Sequence, residues 1–570
     1  MRHSRLQVSK PCLFILWQRL TVVGDPVSQH IHGRLANRDV GSEQSFNTAR
    51  KWLNDCVNNH EECRVSDTTP ILPTRVLDLA QPNGSKNPFL WITEGQSAAY
   101  ACLSYCWGSG PQPVMLTAET IKGFMTEIPV AKLPQTIIDA IFTARKLGLR
   151  YLWIDSLCIL QDSPEDKDVE VSRMSQIYNI AHVTISAANG KDCGSGFLAK
   201  RTQWWRETDG PPIRLPYRCP EGIIGSIYLT PHYRPLLLEP LHSRVWTLQE
   251  HVLSRRVLMY GMEQLVWICC HGIRKDGGVS KGHSISLLNP LRQQLLVDMS
   301  VRRKIGPGST SSDSTRTAWS NLVEQYSCRK QTVPADRVNA LSAALSIFQR
   351  HMQTKYIAGF WRQWLIPDLL WKRVGEICER PAIQLPSWSW LSVNSEVTLG
   401  TDDSDKRLKW TQLATVVGYN TEPTKRGNPF GQLSGAYLAI RGHCVSADLD
   451  WDQLRLFHDD PPVKAIRSFY PCTNLVTLDS LDASYDLPRA ALPGTVEAQA
   501  APSNGIVWCR AIRAVAFPKG LGDIPSGRVI QGILLKKTSA DDFRRIVCFD
   551  SYVGREDRLL IGPKHEIRIV

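Results

Sequence analysis

Eight side chains in this sequence have types and spacings suited to chemistry on a polar substrate. Ser104, Tyr105 and Trp107 fall in the run Ser104-Tyr-Cys-Trp-Gly108. Asp155 and Ser156 follow the apolar run Tyr151–Ile154, and Gln161, Asp162 and Glu170 come shortly after. Of the two carboxylates weighed for chemistry, Asp155 and Glu170, a partly desolvated Glu170 would be tuned for general-base work or for stabilising a developing cation. Glu170 is assigned the catalytic role and the other seven a binding role. Each has a structural alternative that the sequence leaves open. Asp155 fits a backbone cap, Glu170 an exposed helix carboxylate, and Trp107 core packing. Ser156 and Cys158 have no evident histidine partner and the chain has no GxSxG elbow, which argues against a hydrolase nucleophile. It also lacks a GxxxxGK[ST] loop and a GxGxxG following a strand, which argues against an ATPase or a conventional dinucleotide fold.

The elements that must position these groups alternate strand and helix. Ala99–Tyr105 and Tyr151–Ile154 are apolar, and His182–Ala187 is β-branched and small, as suits strands covered on both faces. Between the first two, Gln135–Leu147 has helical apolar spacing, with Pro134 at a first-turn position and Gly148 as its stop. A second helix starts at Ser163 as N-cap and carries Val171, Met174, Ile177 and Tyr178 on one face. This order predicts a small parallel α/β sheet with flanking helices and right-handed crossovers. Ligands of such sheets bind beyond the carboxyl ends of the strands, where residues 104–108 and 155–162 fall. Glu170 lies about two turns into the second helix, near the edge of its apolar face.

Composition narrows the classes. A chain of 570 residues predicts two to four domains. The net charge of +13 is dispersed, with only short clusters at 255–256 and 302–304, so nucleic acid is not an expected partner. The 16 cysteines contain no CxxC pair and lie in apolar stretches, as in a reduced intracellular protein. Cys56, His60 and Cys63 come nearest to a metal set. They lack an obvious fourth ligand nearby, and the helical spacing of Trp52, Leu53, Cys56 and His60 is the favoured reading, so no metal is expected. No apolar stretch approaches 18 residues, so no membrane span is expected, and the run Cys12–Trp17 is too short for a signal peptide. A cytoplasmic location follows from these expectations.

Longer motifs carry a family resemblance. Tyr100-Ala-Cys-Leu-Ser-Tyr-Cys-Trp-Gly108, Leu133-Pro-Gln-Thr-Ile-Ile-Asp-Ala140, Leu147-Gly-Leu-Arg-Tyr-Leu-Trp-Ile-Asp-Ser-Leu-Cys-Ile159, Gln161-Asp162, Glu170-x3-Met174-x2-Ile177-Tyr178 and Arg244-Val-Trp-Thr-Leu-Gln-Glu250 occur in this order. Together they resemble the blocks of the fungal heterokaryon-incompatibility (HET) domain. The resemblance implies a self/non-self recognition protein that triggers cell death. It also implies a likeness to TIR domains, some of which cleave the nicotinamide–ribose bond of NAD with a helix-borne glutamate. By motif position that glutamate is Glu170, and Ser104-Tyr105 matches the end of the first TIR strand. No cofactor is implied, NAD entering as a substrate. The chain departs from the family at Asp166-Lys167, where Asp-Trp is common.

Four segments are expected: a leader with one helix at 1–97, the TIR-like HET domain at 98–270, a helical Trp-rich region at 271–404 and a β-rich region at 405–570. Gly306–Thr315 reads as a linker or disordered loop. Two functions compete for the HET domain: NAD cleavage, and a non-catalytic signalling module that self-associates or docks on protein partners.

Overall fold

A computed structural model describes residues 17–570 apart from 23, 65–68, 81–86, 111, 202–210, 232–238, 278–311, 332, 375–380, 400–409, 425–428, 451–454, 458–504, 517–527, 539–541 and 554–563. The chain divides into two units, residues 1–309 and 310–570.

The first unit begins with β1 (Trp17–Leu20) and α1 (Glu43–Asn59), followed by β2 (Arg75–Asp78), β3 (Phe89–Ile92) and β4 (Tyr100–Ser104). A short α2 (Ile121–Thr126) and then α3 (Gln135–Lys146) lead to β5 (Tyr151–Trp153). The single turn α4 (Asp155–Cys158) and the long α5 (Pro164–Ile180) lead to β6 (Val183–Ser186). Beyond them come β7 (Ile213–Arg218), β8 (Ile224–Pro231), α6 (Val245–Leu253), β9 (Arg256–Tyr260), β10 (Leu265–Cys269) and β11 (Gly272–Lys275).

Eight strands form one sheet in the order β11-β10-β9-β6-β4-β5-β2-β3. Its centre is parallel, as expected: β4 pairs with β5 and with β6, and β6 pairs with β9. The expectation of a small parallel sheet needs correction at both margins. β2 and β3 are added antiparallel on one side, and β10 and β11 on the other. Hairpins can extend a sheet antiparallel through short turns, whereas the central strands need helical crossovers. Because β2 and β3 belong to this sheet, it runs across the expected boundary at 97/98. The β1-β8-β7 sheet is separate.

Strands β4, β6 and β9 are buried along their whole length, which matches their apolar and β-branched composition. Fully burying side chains such as Leu152 or Ile185 contributes roughly 2 kcal/mol each. Helix α3 stops at Gly148, whose φ of 79° is the left-handed conformation that ends helices. Pro134 sits one residue earlier than expected, as the N-cap. Ser163 caps α5, its Oγ accepting from the Asp166 N–H at 3.2 Å, with Pro164 in the first turn. The buried face of α5 is Glu170, Met174, Ile177 and Tyr178, while Val171 is only partly buried.

In the second unit, helices Ser312–Ser327 and Ser342–Met352 precede a sheet that includes Leu433–Asp450, Gly505–Ala516, Arg528–Lys537 and Phe543–Val553. These strands cover the segments expected around 436–445, 506–516, 529–535 and 545–549. Of the expected linker, residues 312–315 open the first helix and the remainder lies outside the described residues. Among the described residues no helix is long and apolar enough to cross a membrane.

Candidate functional site

Chain connections diverge at β4. The link from β4 leads to β5 on one side, and the link from β6 leads on to β9 on the other, so β4 and β6 flank the topological switch point, the position at which open sheets bind ligands. Ser104 and Ser186 end these two strands in register. The Ser104 hydroxyl donates to Glu250 Oε2 at 2.5 Å, and both groups are buried. Ser186 Oγ is buried with no hydrogen-bond partner among the described residues. Glu250 comes from α6, which lies against β4 in this unit.

A second group sits where β4 and β5 end. The Trp107 indole N–H donates to Asp155 Oδ2 at 2.9 Å, and the Ser156 amide donates to Asp155 Oδ1 at 2.7 Å. The Tyr105 hydroxyl meets Ser156 Oγ at 2.9 Å and Gln112 Oε1 at 3.3 Å, while Gln112 Nε2 donates to the Trp107 carbonyl at 2.7 Å. Arg244 donates to the Tyr105 carbonyl at 3.2 Å. The turn after Trp107 requires glycine: Gly108 has φ 92°, and a Cβ there would stand 2.7 Å from Cβ of Asp192. Burial raises Asp155 to about 6, opposed by Arg244, the Ser156 amide and the Trp107 indole.

The third group surrounds Glu170, which is only 2% exposed. Its Oε1 accepts from Thr74 Oγ1 at 2.7 Å and lies 3.7 Å from the Arg173 guanidinium. Its Oε2 has no hydrogen-bond partner among the described residues. Thr74 directly precedes β2, which runs antiparallel to β5, so this group lies at the same edge as the tip of β5. Next to it, Arg75 grips both oxygens of Asp166 at 2.6 and 2.7 Å and donates to the Cys158 carbonyl at 2.7 Å. Asp166, the first residue of the pair where the chain departs from the family, thus fixes the start of α5 against β2.

Glu250, Asp155 and Glu170 therefore form a row along the strand tips. Two side chains report their shared field. Burial first, then the charges of Glu250 and Asp155, hold the Tyr178 phenol well above its ordinary value. Cys158 is pushed up to about 12, chiefly by burial, with the charges of both Asp155 and Glu170 adding to it. Neither group is ionised at neutral pH, so Cys158 is no thiolate nucleophile there.

Of the eight expected residues, the structure joins Tyr105, Trp107, Asp155 and Ser156 in one hydrogen-bonded group. It sets Ser104 against Glu250 and Glu170 against Thr74. Gln161 serves the backbone, its Nε2 donating to the carbonyls of Asp155 and Ile159. Asp162 is exposed and accepts from the Ala118 amide at 2.9 Å, which fixes the loop ahead of α2. Sequence reasoning missed Glu250, Thr74, Gln112, Arg244 and Ser186. Glu250 and Arg244 stand at the two ends of the run Arg244–Glu250, but 146 residues separate Glu250 from its partner Ser104.

Among the described residues, two sets of metal-ligating atoms converge, and neither is this row. One is His30, Cys219 and Glu221. The other is Cys56, His60 and Cys63 together with Cys269, which supplies the fourth ligand type that the sequence did not place nearby. The helical reading of the trio holds for Cys56, which is buried on α1 with Trp52 and Leu53, whereas His60 lies just past the helix as its C-cap.

Residues 100–250 match the family model described as heterokaryon incompatibility protein (HET), so the chain carries a HET domain. The match opens at β4 and closes at Glu250, and it spans Ser104, Asp155 and Glu170. No curated protein and no solved structure matches the chain.

Proposed function

We propose that the HET domain triggers cell death on self/non-self recognition by cleaving the nicotinamide–ribose bond of NAD, in the manner of TIR domains. The match to the HET family supports the incompatibility role. The observation that carries the chemistry is Glu170: a buried carboxylate at the strand-tip edge, anchored through Oε1 and with Oε2 unpartnered among the described residues. As the ribose–nitrogen bond breaks, its electron pair goes to the pyridinium nitrogen, nicotinamide leaves neutral, and positive charge develops on the ribose. Glu170 opposes that charge in a site of low polarity, and water then adds to the ribosyl cation and loses a proton to solvent, giving ADP-ribose. One pre-placed charge of this kind is worth on the order of 10²–10³ in rate. Purified full-length protein should consume NAD with release of nicotinamide, and Glu170→Gln should lower the rate by that factor. Equal loss of NAD with both proteins would remove Glu170 from the reaction.

A second reading, a non-catalytic module that self-associates or docks on a protein partner in the cytoplasm, rests on a different observation. Ser104 and Asp155 already have partners in Glu250 and Trp107, as in a network that stiffens a fold. It predicts that toxicity on expression survives Glu170→Gln.

A further inference from the structure

We propose that Cys56, His60, Cys63 and Cys269 form a tetrahedral Cys3His site for a structural zinc ion. The four residues come from three pieces of chain. Cys56 lies on the last turn of α1, His60 caps that helix, and Cys63 ends the single 3-10 turn that follows. Cys269 ends β10, immediately before the two-residue turn to β11. All four are buried, and their ligand atoms all lie within 4.8 Å of one another. Cys269 Sγ lies 3.5 Å from His60 Nδ1. Tetrahedral zinc with metal–sulfur bonds of about 2.3 Å and metal–nitrogen bonds of about 2.0 Å needs ligand atoms roughly 3.5–3.8 Å apart. The observed cluster reaches that geometry through side-chain adjustments of about an ångström or less.

Charge at the site points the same way. Arg255 and Arg256 are both buried, and neither is paired with a carboxylate among the described residues. They donate instead to backbone carbonyls: Arg255 to Arg64 at 3.0 Å, and Arg256 to Cys63 at 2.8 Å and His182 at 3.1 Å. An unpaired buried cation is costly. Three thiolates, a neutral imidazole and a divalent ion carry one net negative charge, which offsets one of the two guanidinium charges. Four protein ligands leave no open coordination position, which marks the site as structural and not catalytic. His60 and Cys269 are 209 residues apart, so the ion would tie the end of α1 to the β10–β11 hairpin at the margin of the main sheet. Binding requires loss of the thiol protons, so it releases protons to solvent.

The test uses full-length protein purified under reducing conditions without chelator. Elemental analysis should find about one zinc per chain. Replacement by cobalt(II) should give the intense visible absorption of a tetrahedral thiolate site. Cys269→Ser and His60→Ala should each lower bound zinc at least tenfold, whereas Cys270→Ser, at the neighbouring buried thiol, should retain it. Wild-type protein that holds no zinc and develops no cobalt absorption under reducing conditions overturns the proposal, whatever the variants do. Loss of zinc in Cys270→Ser with retention in Cys269→Ser overturns the ligand assignment.

Discussion

The two units hold buried charges in different ways. In the first unit, three acids line the strand tips, and one of them, Glu170, keeps an oxygen without a hydrogen-bond partner among the described residues. In the second unit the deeply buried charges include guanidiniums. Arg337 is 0% exposed, donates to the carbonyls of Leu391 (2.7 Å) and Val393, and stays cationic at neutral pH although burial pulls it down to about 10. Arg545, also 0% exposed, donates to the Trp371 carbonyl at 2.7 Å and lies 3.7 Å from the centre of its ring. A guanidinium has five donors in a planar fork and can close several backbone ends at once, with its face on an aromatic ring. A carboxylate offers only acceptors, so an oxygen left unmatched is available to a developing cation. The difference is one of chemistry: the guanidiniums close backbone carbonyls, while the carboxylate of Glu170 leaves an acceptor open.

The comparison breaks most visibly in the second unit. Arg337→Ala leaves two buried carbonyls without donors and a cavity, and should destabilise the protein by about 3–5 kcal/mol, read from urea unfolding. A loss under about 1 kcal/mol would mean that this guanidinium does not hold the fold. Glu170→Gln keeps shape and the Thr74 contact. It should change unfolding little while lowering NAD cleavage on the order of 10²-fold or more. A variant that unfolds readily would place Glu170 with the structural charges instead.

Two smaller effects sharpen the contrast. Thr74→Val removes the donor to Glu170 Oε1 and keeps the volume. It should cost about 1–2 kcal/mol of stability by urea unfolding, and no loss would show that the contact is not an anchor. Asp155 gives an effect that depends on pH. Its pKa is raised in the folded state to about 6, so between about pH 4 and 6 the folded protein holds a proton that the unfolded chain has lost. Stability from this group is therefore full below that window and falls as pH rises through it. Burial lowers His182 to about 4, which acts in the opposite direction across that range. The difference between wild type and Asp155→Asn isolates the aspartate. The variant should lack this fall, and parallel profiles of melting temperature against pH would refute the assignment.

The sequence by itself determined the local elements of the HET domain. Continuous apolar runs marked β4, β5 and β6, because strands covered on both faces tolerate little else. Ser163-Pro164 and Gly148 marked helix ends through capping and left-handed backbone geometry. Asp155 and the Ser104–Gly108 run were legible as strand tips for the same reason. Residue 170 was harder to read. The spacing of 170, 174, 177 and 178 puts it on the buried face, but a carboxylate at such a position reads first as the edge of a stripe.

Only the tertiary structure decided which distant groups meet. Hydrogen bonds such as Ser104 to Glu250 and Thr74 to Glu170, and the approach of Cys269 to His60, join residues about 100 to 200 positions apart. Periodicity in a chain reports which face a side chain takes. It carries no information about which other face that one will pack against, and the β2–β3 and β10–β11 hairpins that extend the sheet are placed by that packing.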